Sequence, residues 1–318
     1  MKSDYPVGVF DSGVGGLSVL QRIRADLPHE RLLYVADSGH APYGNKPDEF
    51  IVRRSFAITE FFLEQGVKAI VVACNTATAA AISRLRAQFP LPIIGIEPAV
   101  KPAVAMTRSG VVGILATGNT VRSQKLAHLL DQHGHRARVL VQPCPGLADC
   151  VEQGDLSGSH PRILLERYLT PLLSAGVDTL VLGCTHYPFL MPLIQELIGS
   201  EVAILDPSPA VARQLRHRLA AGGLLASCGA SSGERYFTSG ALTATADVMA
   251  RLLAESVNLD ALPERFQLMD GVSATHQRLN RDFSQPRLLG NPQGPSAAEP
   301  VLTPTVDVIA QTGKIPNT

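Results

Sequence analysis

Short apolar runs recur along the chain, separated by stretches whose apolar residues fall three or four positions apart. Val7–Phe10, Leu32–Val35, Ala69–Ala73 and Ile93–Ile96 read as buried strands. Val111–Leu115, Ala137–Val141, Thr179–Leu182 and Val202–Leu205 read the same way, with Arg138 interrupting the second of these. Ser18–Leu27, Asp48–Gln65 and Arg122–Gln132 carry helical spacing. Alternation of strand and helix predicts parallel sheets of the α/β class. Ligands of such sheets bind at the carboxyl ends of the strands.

The pattern also repeats. Gly8-Val9-Phe10-Asp11-Ser12-Gly13 aligns with Gly113-Ile114-Leu115-Ala116-Thr117-Gly118, residue 8 against 113, an offset of 105. Lys68 to Thr76 aligns with Asp178 to His186, residue 68 against 178, an offset of 110. Two related lobes are expected, each with a hydroxyl residue after its first strand and a cysteine after a later one. Past Gln285 the chain is rich in Pro, Gly, Ser, Ala and Thr without a sustained apolar period, which reads as an extended tail.

Composition narrows the classes. A length of 318 residues suits one large domain or two of about 100–150 residues. With 28 basic and 28 acidic residues, nothing draws the chain toward nucleic acid or an anionic membrane. No apolar run is long enough to span a bilayer, and the N-terminus has no signal-peptide core, so the cytoplasm is the expected location. Five cysteines, an odd number, do not suggest a disulfide framework. In a reducing compartment each thiol is either buried and inert or chemically used.

Two cysteines stand where chemistry is done. Cys74 ends an apolar strand, with Asn75 and Thr76 opening a helix, and Cys184 ends another, followed by Thr185 and His186. If the lobes face each other, so do the thiols. One can then remove a proton from one face of a carbon while the other supplies a proton to the opposite face. Help of this general acid/base kind contributes roughly 10²–10⁴-fold. Cys144, Cys150 and Cys228 lack the polar, helix-opening setting and read as buried hydrophobes.

The turn Asp11-Ser12-Gly13-Val14-Gly15-Gly16 lacks the full dinucleotide fingerprint and the lysine of a phosphate loop. Its N–H groups can equally meet a carboxylate. Asp11 can accept a proton, orient an ammonium group, or simply cap a helix. Tyr43, Gly44, Asn75, Thr76, Thr117, Thr120 and Thr185 form a set of small or neutral groups suited to a small diacid, although a helix cap is an equally good reading of each threonine. His186 can pair with Cys184 or serve a structural role. Glu152 can assist it, although pattern alone favours an exposed helix carboxylate.

These motifs together resemble the glutamate racemases of the aspartate/glutamate racemase superfamily. The resemblance rests on Val9 to Leu17, Ala41-Pro42-Tyr43-Gly44, Ala73-Cys74-Asn75-Thr76-Ala77 and Gly183-Cys184-Thr185-His186-Tyr187-Pro188, in that order. Ala116-Thr117 with Thr120, and Val151-Glu152 with Gly154, are similar to further segments of the family. It covers roughly residues 5–255 and carries nothing for the tail. It implies two pseudo-symmetric α/β lobes, each a mostly parallel sheet flanked by helices, with the active site between them. Residues 1–97 plus 207–258 would form the first lobe and residues 98–206 the second. Residues 259–318 would be a C-terminal extension, flexible from about 285.

The resemblance further implies that Cys74 and Cys184 are the acid/base thiols, Asp11 assisting the first and His186 with Glu152 the second. Ser12, Tyr43, Gly44, Asn75, Thr76, Thr117, Thr120 and Thr185 would bind glutamate. D-Glutamate for peptidoglycan would be a product. Neither cofactor nor metal is implied. Members are often dimers, which leaves a homodimer open, as are an activating ligand and the role of the extension. From the residues themselves, Lys46 and Lys101 keep a Schiff base weakly open. Three rival readings stand: a racemase or decarboxylase of the same superfamily for another small acid, a metal-binding module using Cys184 and His186, and a non-catalytic carboxylate-binding protein. The metal reading has only one Cys-x-His pair and no C-x-x-C.

Overall fold

All eight apolar runs form strands in the computed structural model, which describes residues 3–227, 233–267 and 306–309. They are β1 Val7–Asp11, β2 Arg31–Ala36, β3 Ala69–Val72, β4 Ile93–Gly95, β5 Val111–Ala116, β6 Arg138–Pro143, β7 Thr179–Gly183 and β8 Ala203–Leu205. Three more are β9 Gly233–Thr238, β10 Leu259–Ala261 and β11 Val306–Val308. One sheet runs β10-β9-β2-β1-β3-β4 and the other β11-β6-β5-β7-β8. Every pairing is parallel. The shared core order, second-first-third-fourth in each half, is the structural form of the repeat in the sequence.

The runs are continuously apolar because both faces of each sheet are covered. Phe10, Leu33, Val35, Ile70 and Val72 point into one core, under the helix Asp48–Glu64. The alternating residues Val7, Val9, Leu32, Tyr34, Ala69 and Val71 point the other way. That second core is continuous with Leu115, Leu140, Leu180 and Leu182 of the other sheet, so the lobes share an apolar seam. Each large side chain buried in it contributes about 1.5–3 kcal/mol. The helices Leu17–Asp26 and Ser208–Ala221 pack against each other, and buried Val211, Ala212, Leu215 and Leu219 of the latter join the seam.

Some elements depart from the pattern. The helix expected over Arg122–Gln132 runs Gln124–His133, and a separate short helix, Gly118–Arg122, precedes it, with Thr117 and Ser123 each capping one through its hydroxyl. After β8 the chain returns to the first sheet, where β9 adds to β2. The tail read as lacking regular structure contributes β11, paired with β6 at the sheet edge. An edge strand exposes unpaired N–H and C=O groups, and a short Val-Asp-Val segment can meet them without an apolar period of its own. The rest of that tail, like Cys228, lies outside the described residues. No helix among the described residues is long and apolar enough to cross a membrane.

Candidate active site

The carboxyl ends of β1 and β3 meet those of β5 and β7. Cys74, two residues past the end of β3 at Val72, is the N-cap of the helix Asn75–Gln88, where its Sγ accepts from Ala77 N at 3.4 Å. Its thiol also points to Ser12 Oγ at 3.8 Å. Cys184 follows β7, and its Sγ lies 3.5 Å from His186 Nδ1. Both cysteines are buried.

Each cysteine has a charged neighbour, and each neighbour is gripped by the opposite lobe. Asp11 ends β1. Its Oδ1 accepts from Ser12 N at 2.7 Å and its Oδ2 from Gly16 N at 2.6 Å. Thr185 of the second lobe donates to the same Oδ2 at 3.2 Å. On the other side, His186 Nε2 and Glu152 Oε1 are 2.6 Å apart, and Val14 N of the first lobe donates to that oxygen at 2.8 Å. Ser18 Oγ adds a bond to Thr185 O at 2.9 Å.

This explains the glycines of the first turn. A Cβ at Gly13 would come 1.9 Å from Glu152 Oε1, and one at Gly15 would come 2.3 Å from His186 Nδ1. The turn is bare so that the second lobe's imidazole and carboxylate can lie on its backbone. Neither phosphate nor a ligand carboxylate takes its Ser12, Val14 and Gly16 amides, because Asp11 and Glu152 already do. The Glu152 side chain is only 14% exposed, unlike the exposed carboxylate that its helical position suggests.

The electrostatics differ between the two cysteines. Burial pushes the Cys74 thiol well above its ordinary range, and the Asp11 charge pushes it further. Asp11 itself is raised, chiefly by burial. Burial opposes charging of His186, but Cys184 and Glu152 outweigh it and hold the imidazole well above its usual range.

Two residues past Cys74, Thr76 joins a cluster of hydroxyls drawn from both lobes. Thr76 Oγ1 is 3.0 Å from Thr117 Oγ1 and 3.4 Å from Thr120 Oγ1, and the last two are themselves 3.0 Å apart. Beside it Asn75 is buried, and neither its Oδ1 nor its Nδ2 has a partner in the protein. A buried amide left unsatisfied costs about 1–3 kcal/mol, and such a cost persists where a ligand will remove it. Oxygen acceptors and donors of this kind suit a carboxylate and an ammonium group.

Tyr43 is placed differently from the other expected residues. Its ring is buried and its hydroxyl donates to Asp37 Oδ2, so only the backbone of Tyr43 and Gly44 remains to face a ligand. Asp37, just beyond β2, carries the same signal as Asp11, a carboxylate at a strand's carboxyl end, yet it did not stand out in the sequence. It forms a buried ion pair with Arg54, whose Nη2 and Nε lie 2.7 and 2.9 Å from its two oxygens. Arg54 in an apolar helix and Asn119 in the helix after β5 gave no sign of their roles. Cys144 sits closer to the strand ends than expected, because β6 runs on to Pro143. Its thiol donates to Gln142 O at 3.3 Å and burial raises it. Burial, and then Asp155, push the Cys150 thiol up to about 11. Lys46 lies over the Phe50 ring at 5.7 Å, and Lys101 is exposed on the helix Val100–Met106. Among the described residues no three His, Cys, Asp or Glu are grouped to hold a metal ion.

Comparison with known proteins gives this geometry a setting. The profile of the Asp/Glu/Hydantoin racemase family matches residues 17–215. The glutamate racemase of Ectopseudomonas mendocina is 55% identical over 259 residues, 81% of this chain and 98% of that protein. Among solved structures, a glutamate racemase isoform of Bacillus anthracis superposes with a TM-score of 0.76 at 33% identity, over 82% of this chain and 98% of that one. The Escherichia coli glutamate racemase, in complex with L-glutamate and the activator UDP-MurNAc-Ala, gives 0.72 at 32% identity, over 81% and 98%.

Proposed function

The chain belongs to the Asp/Glu/Hydantoin racemase family, and from that premise we propose that it interconverts L- and D-glutamate with Cys74 and Cys184 as its two acid/base groups. The observation that carries the reading is the placement of two buried cysteines at corresponding strand ends, with oppositely charged partners, and an unsatisfied Asn75 next to the first of them. A small α-amino acid lying between them would present one face of its α-carbon to each sulfur.

With L-glutamate, Cys184 as thiolate takes the α-proton. The C–H electron pair delocalises into the α-carboxylate, and Cys74 as thiol delivers its proton to the opposite face. A new C–H bond forms as the Cys74 S–H bond breaks, and the D-enantiomer results. With D-glutamate the roles reverse. The hard step is the charge developing on the α-carboxylate. Preorganised donors, for which Asn75, Thr76, Thr117, Thr120 and the backbone N–H of Thr185 are the candidates, would stabilise that charge without reorganising at the moment of transfer. The His186 imidazolium, steadied by Glu152, faces the negative charge on the Cys184 sulfur. Asp11 beside Cys74 favours the thiol form until the substrate's ammonium group enters. The backbone of Tyr43 and Gly44, with the Ser12 hydroxyl, would hold the side-chain carboxylate. We place the enzyme in the cytoplasm, where D-glutamate would feed peptidoglycan synthesis, and take glutamate as its small-molecule partner.

The test is the optical rotation of L- and D-glutamate and of both aspartates incubated with the protein. Either glutamate should decay to the racemate with no added cofactor, while aspartate turns over at least about 100-fold more slowly, since a chain shorter by one methylene leaves its second carboxylate short of its donors. Racemisation of aspartate in preference to glutamate would contradict the assignment.

A further inference from the structure

The turn that carries Tyr43 and Gly44 is held from two sides, and the two holds differ in kind. Within its own lobe the hold is buried and charged. The Tyr43 hydroxyl donates to Asp37, and Arg54 pairs with Asp37 through Nη2 and Nε. Arg54 Nη1 also donates to the carbonyls of Phe266 and Gln267, at 2.7 and 2.9 Å. Asp37, Tyr43 and Arg54 are each at most 1% exposed, so this edge of the turn is fixed.

The other hold comes from across the cleft and is a single neutral side chain. Asn119, on the helix Gly118–Arg122, uses Nδ2 to donate to Tyr43 O at 3.0 Å and to Lys46 O at 2.7 Å. Its Oδ1 accepts from Arg122 Nη2 at 2.6 Å. Beside it the fit is close, since a Cβ at Gly44 would lie 3.0 Å from Thr117 Cβ. A cavity of about 450 Å³, lined in part by Asp48, Thr76, Asn119 and Arg122, borders this same junction. Thr76 therefore lines the cavity and also belongs to the cluster of threonine hydroxyls.

We propose that Asn119 is a positioning residue for the substrate. It spans the ends of the Tyr43–Lys46 turn with one amide nitrogen and holds the Tyr43 and Gly44 backbone against the second lobe. The Asp37–Arg54 pair fixes the turn's other edge. Because the cysteines are buried, a substrate reaches them only when the lobes part, and these two neutral hydrogen bonds are weaker than the buried ion pair opposite. The junction at Asn119 is thus one contact between the lobes that can open and re-form around the ligand. This inference rests on the reading that the Tyr43–Gly44 backbone binds a glutamate carboxylate.

The test compares Asn119→Ala and Asn119→Asp with the parent, using the full chain. Asp matches Asn in size and keeps an acceptor for Arg122, but it offers no donor to the two carbonyls. Loss of two hydrogen bonds should raise KM about 10-fold for both enantiomers, with kcat within about 3-fold and the pH profile unmoved. Asn119→Asp should be at least as impaired as Asn119→Ala. Amides of residues 43–46 should exchange with deuterated water faster in both variants. A KM within 2-fold of the parent in both variants would overturn the proposal, as would an Asp variant that behaves like the parent. Should the parent fail to racemise glutamate, the functional reading is at fault instead. The exchange rates then decide about Asn119: faster exchange supports it and unchanged exchange overturns it.

Discussion

The two halves of the cleft share a strand order and a cysteine position but differ in the charge placed beside the sulfur. Cys74 has the Asp11 carboxylate for a neighbour and Cys184 has the His186–Glu152 pair. A racemase with two thiols must keep one proton between them, because two thiols give no base and two thiolates give no acid. Identical surroundings would leave that proton undirected. On the proposed mechanism a carboxylate beside one sulfur and an imidazolium beside the other would break the tie, with burial and Asp11 holding Cys74 as the thiol. On that proposal the repeat supplies the geometry, and the departure from the repeat would supply the direction of proton transfer.

Removing either sulfur tests the comparison most severely. Cys74→Ser and Cys184→Ser should each lower racemisation at least about 10³-fold, since a hydroxyl is a poor base near neutral pH. Racemisation has an equilibrium constant of one, so kcat/KM must fall equally in both directions. The handedness shows only in one-sided chemistry. With β-chloro-substituted substrates, each variant should still eliminate chloride, from opposite enantiomers. Elimination from the same enantiomer by both would break the comparison.

A smaller loss should follow from weakening one partner. His186→Asn or Glu152→Gln should lower kcat about 10–100-fold while leaving the elimination assigned to Cys74 within about 3-fold. The imidazolium also ties activity and stability to pH. Since His186 is raised in the folded state, its contribution is full below its unfolded value of about 6.5 and is lost as pH rises through the higher folded value. His186→Asn should flatten the stability profile on the alkaline side of about pH 6.5, as read by thermal melts. Gly15→Ala probes the same contact from the other lobe. Its Cβ would press on the His186 ring, which should destabilise the fold by about 1–3 kcal/mol and slow turnover about 10-fold.

The buried Asp37–Arg54 pair affects stability more than chemistry. Asp37→Asn leaves Arg54 uncompensated and should destabilise the fold by about 3–5 kcal/mol near pH 7 in denaturant titrations. Burial disfavours the Asp37 charge, but the contacts from His40 and Arg54 prevail, and the carboxylate is held far below its usual range. Its contribution is therefore present above about pH 4 and lost on further acidification, so the deficit of the variant should shrink there. Cys144→Ala, near Cys184 but outside the proposed proton path, should cost only about 1 kcal/mol and leave kcat within about 2-fold.

What the sequence disclosed follows from its physics. Strands such as Val7–Phe10 and Thr179–Leu182 were legible because both their faces are buried. β9 was not, because Gly233, Glu234 and Arg235 interrupt it near the outer side of its sheet. Cys74 and Cys184 were legible from their place after apolar strands. The Gly13 and Gly15 contacts were not, because the Glu152 and His186 they accommodate lie more than 130 residues away. Tyr43 read as a ligand donor, whereas its hydroxyl is taken by Asp37, a partner that only the folded chain brings to it.

The central claim, that two groups on opposite faces exchange one proton, is tested most directly by isotope incorporation at early times. L-Glutamate would be incubated with the parent protein in deuterated water, and both enantiomers would be separated and weighed by mass spectrometry before about 5% conversion. The account predicts D-glutamate carrying one solvent deuterium at the α-carbon, with the remaining L-glutamate unlabelled, because the incoming proton comes from the opposite thiol. Product that retains the substrate's own α-hydrogen would mean a single group working on both faces, and would contradict it.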